Sequence, residues 1–588
     1  MEIEELYVEK LTNTLSETLV AFALAHVVNH LVPHDVREID IRIEDRGNCY
    51  CVVIRPPMQE KWIERAKFLP LLRGLDTARK RSDLSHAVDY TMHQARNEDF
   101  FAGREKKLSE EQMQELGLVP PDRNWPVWAV VNQMSATDAY NKLARLWELH
   151  REIFPDLLRI IFDLYRQLPN DEEAAAHAWS KLAKASKIGG SKIAPQLQVI
   201  NPGKGKGGNS SKASGLGIGG LKGFWIPEYL KFVGLYICAL PRSISNSKDR
   251  KTYVLRPKEL SWGTHNTVFS EFQKNLYAST AIKMDVLATL QYCLTYLKQW
   301  RDAYHSGRSR FIKSRPGDHV AALEAVFYKH LGSAFATMNV STLVLPEWVP
   351  TIETVADADR FIALLSEHEA IVRSLKEEKG DEYSLLQTYR TFLSSRDLSA
   401  FYRFTQGYAT HVIRSYTGKG FPARRFQITN LEALIMAHDP ALADLVRNPG
   451  FRRVAAAIRQ STVTPQYLKT NRAPDRPPDP YTVRYGLGNN LLRHASYPRK
   501  FIQELSKFVH AYTQENERVR DLHKNKPPRY RVAITDEDLE QIVDLIRIFD
   551  SETVAHLLVA FGYARKAQEG GVPETVNEQE IDPEAQDQ

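Results

Sequence analysis

Apolar residues recur at helical spacing between residues 11 and 32, which predicts an amphipathic helix there. The next pattern is different. IDIRIEDRGNCYCVVI, residues 39 to 54, alternates apolar and polar around Asp45-Arg46-Gly47-Asn48, a hairpin signature, and Pro56 and Pro57 are expected to stop it. Residues 59 to 118 are polar and mostly helical in pattern. The run WPVWAVVNQM, from Trp125, reads as a short buried strand. A long helix is expected from Thr137 to about Leu168, with Leu143, Leu146, Trp147 and Phe154 on its apolar side.

Residues 201 to 260 change texture twice. NPGKGKGGNSSKASGLGIGGLKG is Gly, Ser, Lys and Asn, too polar to bury a core, and predicts a flexible loop. FWIPEYLKFVGLYICAL then spaces Phe224, Trp225, Tyr229, Phe232, Leu235 and Tyr236 to form a buried helical face. PRSISNSKDRKTYVLRPKEL returns to basic, β-prone residues. Beyond Leu260 the period is helical in FSEFQKNLYASTAIKMDVLATLQYCLTYLKQW and in DHVAALEAVFYKHLGSAFATM, with a break at LVLPEWVP; residues 352 to 416 predict three more helices. FRRVAAAIRQST places Phe451, Val454, Ala455 and Ile458 on one face and Arg452, Arg453 and Arg459 on another. NRAPDRPPDPY reads as a surface connection. FIQELSKFVHAYTQENERVRD turns Ile502, Leu505, Phe508, Val509 and Tyr512 inward, and Thr535 with Asp538 caps a last helical pair ending near Ala564.

These patterns predict a mainly α, multidomain chain with a smaller α+β N-terminal and central part and a C-terminal helical bundle. The expected divisions are an α+β domain over 1–200, the Gly/Lys-rich loop and aromatic helix over 201–260, and a central helical region over 261–424. A basic bundle follows over 425–565, and an acidic disordered tail over 566–588. A length of 588 residues, 43% of them hydrophobic, is ample for several cores. Four cysteines without regular spacing build no disulfide framework, and Cys49 and Cys51 have no second pair to complete a zinc site. The acidic start MEIEELYVEK is no secretory signal, and LVAFALAHVVNHLV is short and broken by His26, Asn29 and His30. A soluble, cytoplasmic protein is expected.

Charge sharpens the picture. Residues 201 to 260 hold 11 Lys and Arg against 3 Asp and Glu, more excess than the +6 of the whole chain. A second basic block, Arg414 to Arg531, has 22 against 9, while the 22 residues from Ala567 hold 7 acids and no base. Two separated basic blocks point to a nucleic acid held at two places. Signs of catalysis are weak. Gly215 to Gly220 matches GxGxxG without a preceding strand or a ribose-binding acid, and no Walker A sequence occurs. His34-Asp35 and His438-Asp439 are pairs of the kind metal phosphohydrolases use, but nothing marks the further ligands such a site needs.

GLKGFWIPEYLKFVGLYICALPRSI with KDRKTYVLRPKEL resembles the large subunit of type I CRISPR Cascade complexes, in the type I-B-like branch. DLSAFYRFTQGYATHVI, FRRVAAAIRQSTVTPQ and YTVRYGLGNNLLRHASYPRKFIQELSKFVHAYTQEN carry the same resemblance, which covers residues 220 to 530 well and the first 200 loosely. It implies a non-catalytic subunit at the crRNA 5′ end, beside the Cascade backbone subunits. Such a subunit recognises the protospacer-adjacent motif in double-stranded target DNA, assists strand separation and R-loop formation, and recruits a helicase-nuclease or, in CRISPR-associated transposons, a transposition adaptor. The C-terminal bundle resembles the small subunit, and the resemblance implies that a shorter product starting at Met436 supplies it. No cofactor, no metal ligand and no membrane contact is expected.

The candidate nucleic-acid contacts follow charge and flexibility. Lys204, Lys206, Asn209, Lys212, Lys222, Arg242, Lys248, Arg250, Lys251 and Arg256 form the first set, for duplex near the motif. Arg452, Arg453, Arg459, Lys469, Arg484, Arg493, Arg499 and Lys500 form the second, for the displaced strand or the heteroduplex. Trp225 is a candidate strand-parting wedge, with a core position as the simpler alternative. The other classes of function are a metal-dependent nuclease or phosphohydrolase and a guide-independent architectural DNA-binding protein.

Overall fold

The computed structural model describes residues 2–36, 38–204, 220–276, 279–307, 313–332, 334–395, 397–417, 422–470, 479–522 and 531–566. It is mainly helical with a smaller α+β part. The described residues form two compact units: those within Met1–Met284 and Pro316–Leu345, and those within Asp285–Arg315 and Pro346–Glu580.

The first unit holds the strands. In chain order they are β1 (Glu2–Glu9), β2 (Asp40–Asp45), β3 (Cys49–Gln59), the two-residue β4 (Leu75–Asp76) and β5 (Val88–Asp89), β6 (Ile193–Pro195), β7 (Lys222–Phe224), β8 (Ala239–Ser243), β9 (Arg250–Pro257), β10 (Glu259–Ser261), β11 (Val320–His330) and β12 (Phe335–Val344). One sheet has the order β1-β3-β2-β10 and a second the order β12-β11-β9-β8. The hairpin over residues 40 to 59 forms as its turn residues predict, with Asp45 opposite Tyr50. Its second strand does not stop at the prolines. Pairing with β1 shifts register between Ile3 and Glu5, so Pro56 and Pro57 sit where the ladder needs no N–H, and pairing resumes at Met58.

Between the two sheets' contacts lies the Leu15–Leu31 helix, started by a Thr14–Glu17 capping box. It packs on β1, β2 and β3, on β9, and on the Trp225–Cys238 helix, so it is buried almost all round rather than amphipathic. Three further expectations fail for related reasons. Trp125–Gln133 is a helix, not a strand: Asp122 turns the chain through Asn124, and Pro126 falls in the first turn, where no N–H is required. The helix expected from Thr137 to Leu168 is two, Thr137–Glu148 and Phe154–Tyr165, parted by a 3-10 turn at Arg151–Ile153 before Pro155. Residues 318 to 338, expected to be helical, fall largely in the β11–β12 hairpin. β11 lies between β12 and β9 and buries both faces, so its residues show no period of two, and pairing overrides the helical preference of Ala, Leu and Glu.

The second unit is helical among its described residues. Val355–Ser374, Gly380–Leu393 and Ser399–Ser415 are the three helices expected over 352–416. Pro449–Ser461 buries Phe451, Val454, Ala455 and Ile458 against Asp536–Phe549 and Ser551–Tyr563. Pro498–Leu522 buries Leu505, Phe508, Val509 and Tyr512, with Ile502 half-buried. Thr535 and Asp538 form the capping box that their spacing predicts. No described helix is long and apolar enough to cross a membrane.

Candidate nucleic-acid interface

The aromatic helix Trp225–Cys238 is core. Trp225 is fully buried, stacked on His150 at 5.5 Å and edge-on to Trp179 at 5.9 Å, so it parts no strands. Tyr229 lies flat on Trp147 at 4.4 Å, and the Tyr236 and Tyr140 hydroxyls meet at 2.8 Å. Gly234 brings this helix against the first one: a Cβ there would stand 2.1 Å from the Leu19 carbonyl oxygen.

This core holds both stems of the Gly/Lys-rich loop. On the near side Asn201 donates to buried Glu228 at 2.7 Å, and Lys231 bridges the two at 2.7 and 2.6 Å. Ser16 donates to the Ile200 carbonyl at 2.9 Å. On the far side β7 pairs with β6, and the Gln196 amide donates to the Leu221 carbonyl. Lys206, Asn209 and Lys212 lie outside the described residues, as do the side chain of Lys204 and Gly215–Gly219.

The rest of the first candidate set separates by burial. Lys222 and Lys248 are exposed and form no ion pair with another described residue. Arg242 is committed to the fold: its guanidinium donates to the carbonyls of Leu276 at 2.7 Å, Gln273 at 2.8 Å and Pro241 at 3.0 Å. Lys251, also buried, donates to the Ala281 carbonyl at 2.7 Å. Half-buried Arg256 lies 3.9 Å from Asp45 and reaches Asn13. These three side chains are tied to the fold. Arg250 is buried beside them without such ties.

The second set divides the same way. Arg452 donates to the Val446 carbonyl at 3.0 Å and to Glu432 at 2.9 Å. Arg453 pairs with buried Asp538 at 2.6 Å, Arg459 is buried on the Phe561 carbonyl at 3.1 Å, and Arg484 pairs with Glu515 at 2.7 Å. Basic spacing cannot reveal these partners, which lie 6 to 102 residues away in sequence. Arg452 is exposed as well as tied; exposed and without such ties among the described residues are Lys469, Arg493, Arg499 and Lys500. Arg493, at the end of the Leu487–Leu492 helix, and Arg499 and Lys500, at the start of the Pro498–Leu522 helix, flank Tyr497, which is 61% exposed with the Lys500 ammonium 5.2 Å from its ring centre. Tyr497 was not among the candidates. The signal for it is the tyrosine inside the cationic run RHASYPRK.

For the metal alternative, His438 and Asp439 end a helix, with Asp439 capping the Ala441 amide at 3.0 Å. Among the described residues no group of three or more His, Cys, Asp or Glu is placed to hold a metal ion. Cys49, Cys51, Cys238 and Cys293 are buried and unpaired, and burial pushes the Cys51 thiol up to about 12. No model of a known protein family and no curated protein sequence matches the chain.

Proposed function

We propose that this chain is the non-catalytic large subunit of a type I CRISPR Cascade complex. In this reading it recognises the adjacent motif in duplex DNA, assists strand exchange, and passes the target to a helicase-nuclease or a transposition adaptor in the cytoplasm. The sequence blocks quoted above support the family. The observation that carries nucleic-acid binding is the exposed group Arg493, Arg499 and Lys500 around exposed Tyr497. Cations free of internal partners release counterions when they meet phosphates, and a bare ring among them offers a face for an unpaired base. The bundle that carries this group is the part expected to recur as a shorter product from Met436, which lies on the Ile428–His438 helix.

The test is DNA binding by the purified complex as salt is raised, with Arg493, Arg499 and Lys500 changed together to Gln. Each lost phosphate contact should reduce the log–log salt slope by about 0.7 to 0.9 with unfolding unchanged. Unchanged affinity and slope would refute the assignment. A short uniform RNA should copurify; its absence favours a guide-independent DNA-binding protein, and metal-dependent cleavage by the purified chain favours the nuclease. Intact mass of the complex decides whether the Met436 product exists.

A further inference from the structure

Arg250 and Arg242 sit one residue pair apart on β9 and β8 and are buried alike, 6% and 9% exposed. Their partners differ completely. Arg242 donates to three carbonyls, the usual way a fold accommodates a buried guanidinium. Arg250 makes no side-chain hydrogen bond and no ion pair with any described residue. Its Nε is sealed from solvent without a partner, whereas its two terminal nitrogens are not sealed.

No described carboxylate forms an ion pair with Arg250. Asp249, next in the chain, accepts the His330 amide at 2.8 Å. Glu324 shares the β11–β9 face, but its register partner is Val254 while that of Arg250 is Tyr328, about 13 Å along the strand. Burial raises the Glu324 pKa to about 7 against the opposing influence of the Leu15 amide. Among the described residues the electrostatic neighbour of Arg250 is Tyr90, a phenol stacked on Trp125 at 5.0 Å. Burial pulls the Arg250 pKa down to about 10, so the folded chain holds a desolvated cation at a cost. A second unpartnered donor, the Thr252 hydroxyl, lies on the same strand face about 7 Å away. Tyr328, directly opposite Arg250, donates to the Gln198 carbonyl in the near stem of the Gly/Lys-rich loop.

We propose that Arg250 is a recessed receptor for one phosphate, and that the phosphate belongs to a nucleic-acid backbone. A guanidinium whose terminal nitrogens have no hydrogen-bond partner among the described residues can present the two parallel donors that phosphate oxygens accept. The walls around it exclude water and strengthen the contact, and an empty receptor of this kind is destabilising by construction. The assignment rests on the nucleic-acid reading for the source of the phosphate and on Arg250's own geometry for the site.

The test compares wild type with Arg250→Met and Arg250→Lys by thermal unfolding in chloride, by unfolding with added inorganic phosphate, and by duplex DNA binding against salt. Removing an unpartnered buried charge should raise the midpoint of Arg250→Met above wild type, and wild type alone should gain stability from phosphate. DNA affinity of Arg250→Met should fall about tenfold with a salt slope smaller by about 0.9. Arg250→Lys, which keeps a charge without the fork, should bind DNA more weakly than wild type. A lower midpoint for Arg250→Met makes the residue structural and overturns the proposal. Phosphate stabilisation lost with DNA binding unchanged identifies a free-anion site and overturns the backbone assignment. Wild type that binds no DNA overturns the nucleic-acid reading and the backbone assignment together, while the phosphate arm still decides the anion site separately.

Discussion

Replacing Glu515 with glutamine removes one charge from a site that ties three pieces of the second unit together. Glu515, on the Pro498–Leu522 helix, accepts the Thr482 amide at 2.8 Å, Arg484 at 2.7 Å and Arg531 at 2.9 Å. The Arg531 side chain is wholly buried and stacks on Tyr481 at 3.6 Å from the ring centre. Burial alone would push the Glu515 pKa up; the Thr482 amide and the two guanidiniums outweigh it and bring the pKa from 4.5 to about 2. That difference is worth about 3 kcal/mol at ~1.4 kcal/mol per unit. It agrees with the ~3–5 kcal/mol typical of breaking a buried pair on one side. Because the folded pKa is the lower one, the contribution is complete above about pH 4.5 and lost as pH falls from there toward 2. Hydrogen exchange read at peptide resolution reports this unit without requiring the whole chain to unfold in one step. At pH 7 the peptides around Thr482 and Arg531 should exchange roughly 100-fold faster in Glu515→Gln, and wild-type thermal stability should show an acid-dependent loss that the variant lacks. Exchange within threefold of wild type, with the acid loss unchanged, would show that the two arginines do not depend on this carboxylate.

Gly234→Ala should destabilise the first unit by about 1–3 kcal/mol or more, because its methyl has no room against the Leu19 carbonyl. Gly263→Ala, with open space at the start of its helix, should be neutral or stabilising by up to about 1 kcal/mol; thermal unfolding of the pair checks the sign. His265 is buried beside Phe22 at 4.6 Å and bonded to the Ile237 carbonyl at 3.0 Å, and burial lowers its pKa to about 3 despite that bond. Only its neutral form suits the fold, so stability should fall by ~1.4 kcal/mol per unit as pH drops below 6.5, and His265→Gln should show a shallower slope. Arg242→Met leaves three carbonyls without their donor and should lower stability by about 2–3 kcal/mol, with DNA affinity per folded molecule unchanged in the binding assay.

Local chemistry was enough to read the hairpin around Gly47, the Thr535 cap, the buried face of Phe451, Val454, Ala455 and Ile458, and the aromatic helix after Phe224. Each depends on a turn, a cap or a period written within a few residues. The β11–β12 hairpin was not legible, because β11 is apolar on both faces and becomes a strand only when β9 and β12 flank it. Nor was the helical state of Trp125–Gln133, whose short apolar run suits either structure until its neighbours close on it. The candidate interface was half legible. Composition located two basic blocks, yet a lysine or arginine is available to a ligand only if no carbonyl or carboxylate has already taken it. Phe561 for Arg459, Asp538 for Arg453 and Gln273 for Arg242 lie 102, 85 and 31 residues away, and folding alone brings them within reach. The same folding leaves Arg493, Arg499 and Lys500 outside and Arg250 inside without a partner, a distinction that charge counted along the chain does not contain.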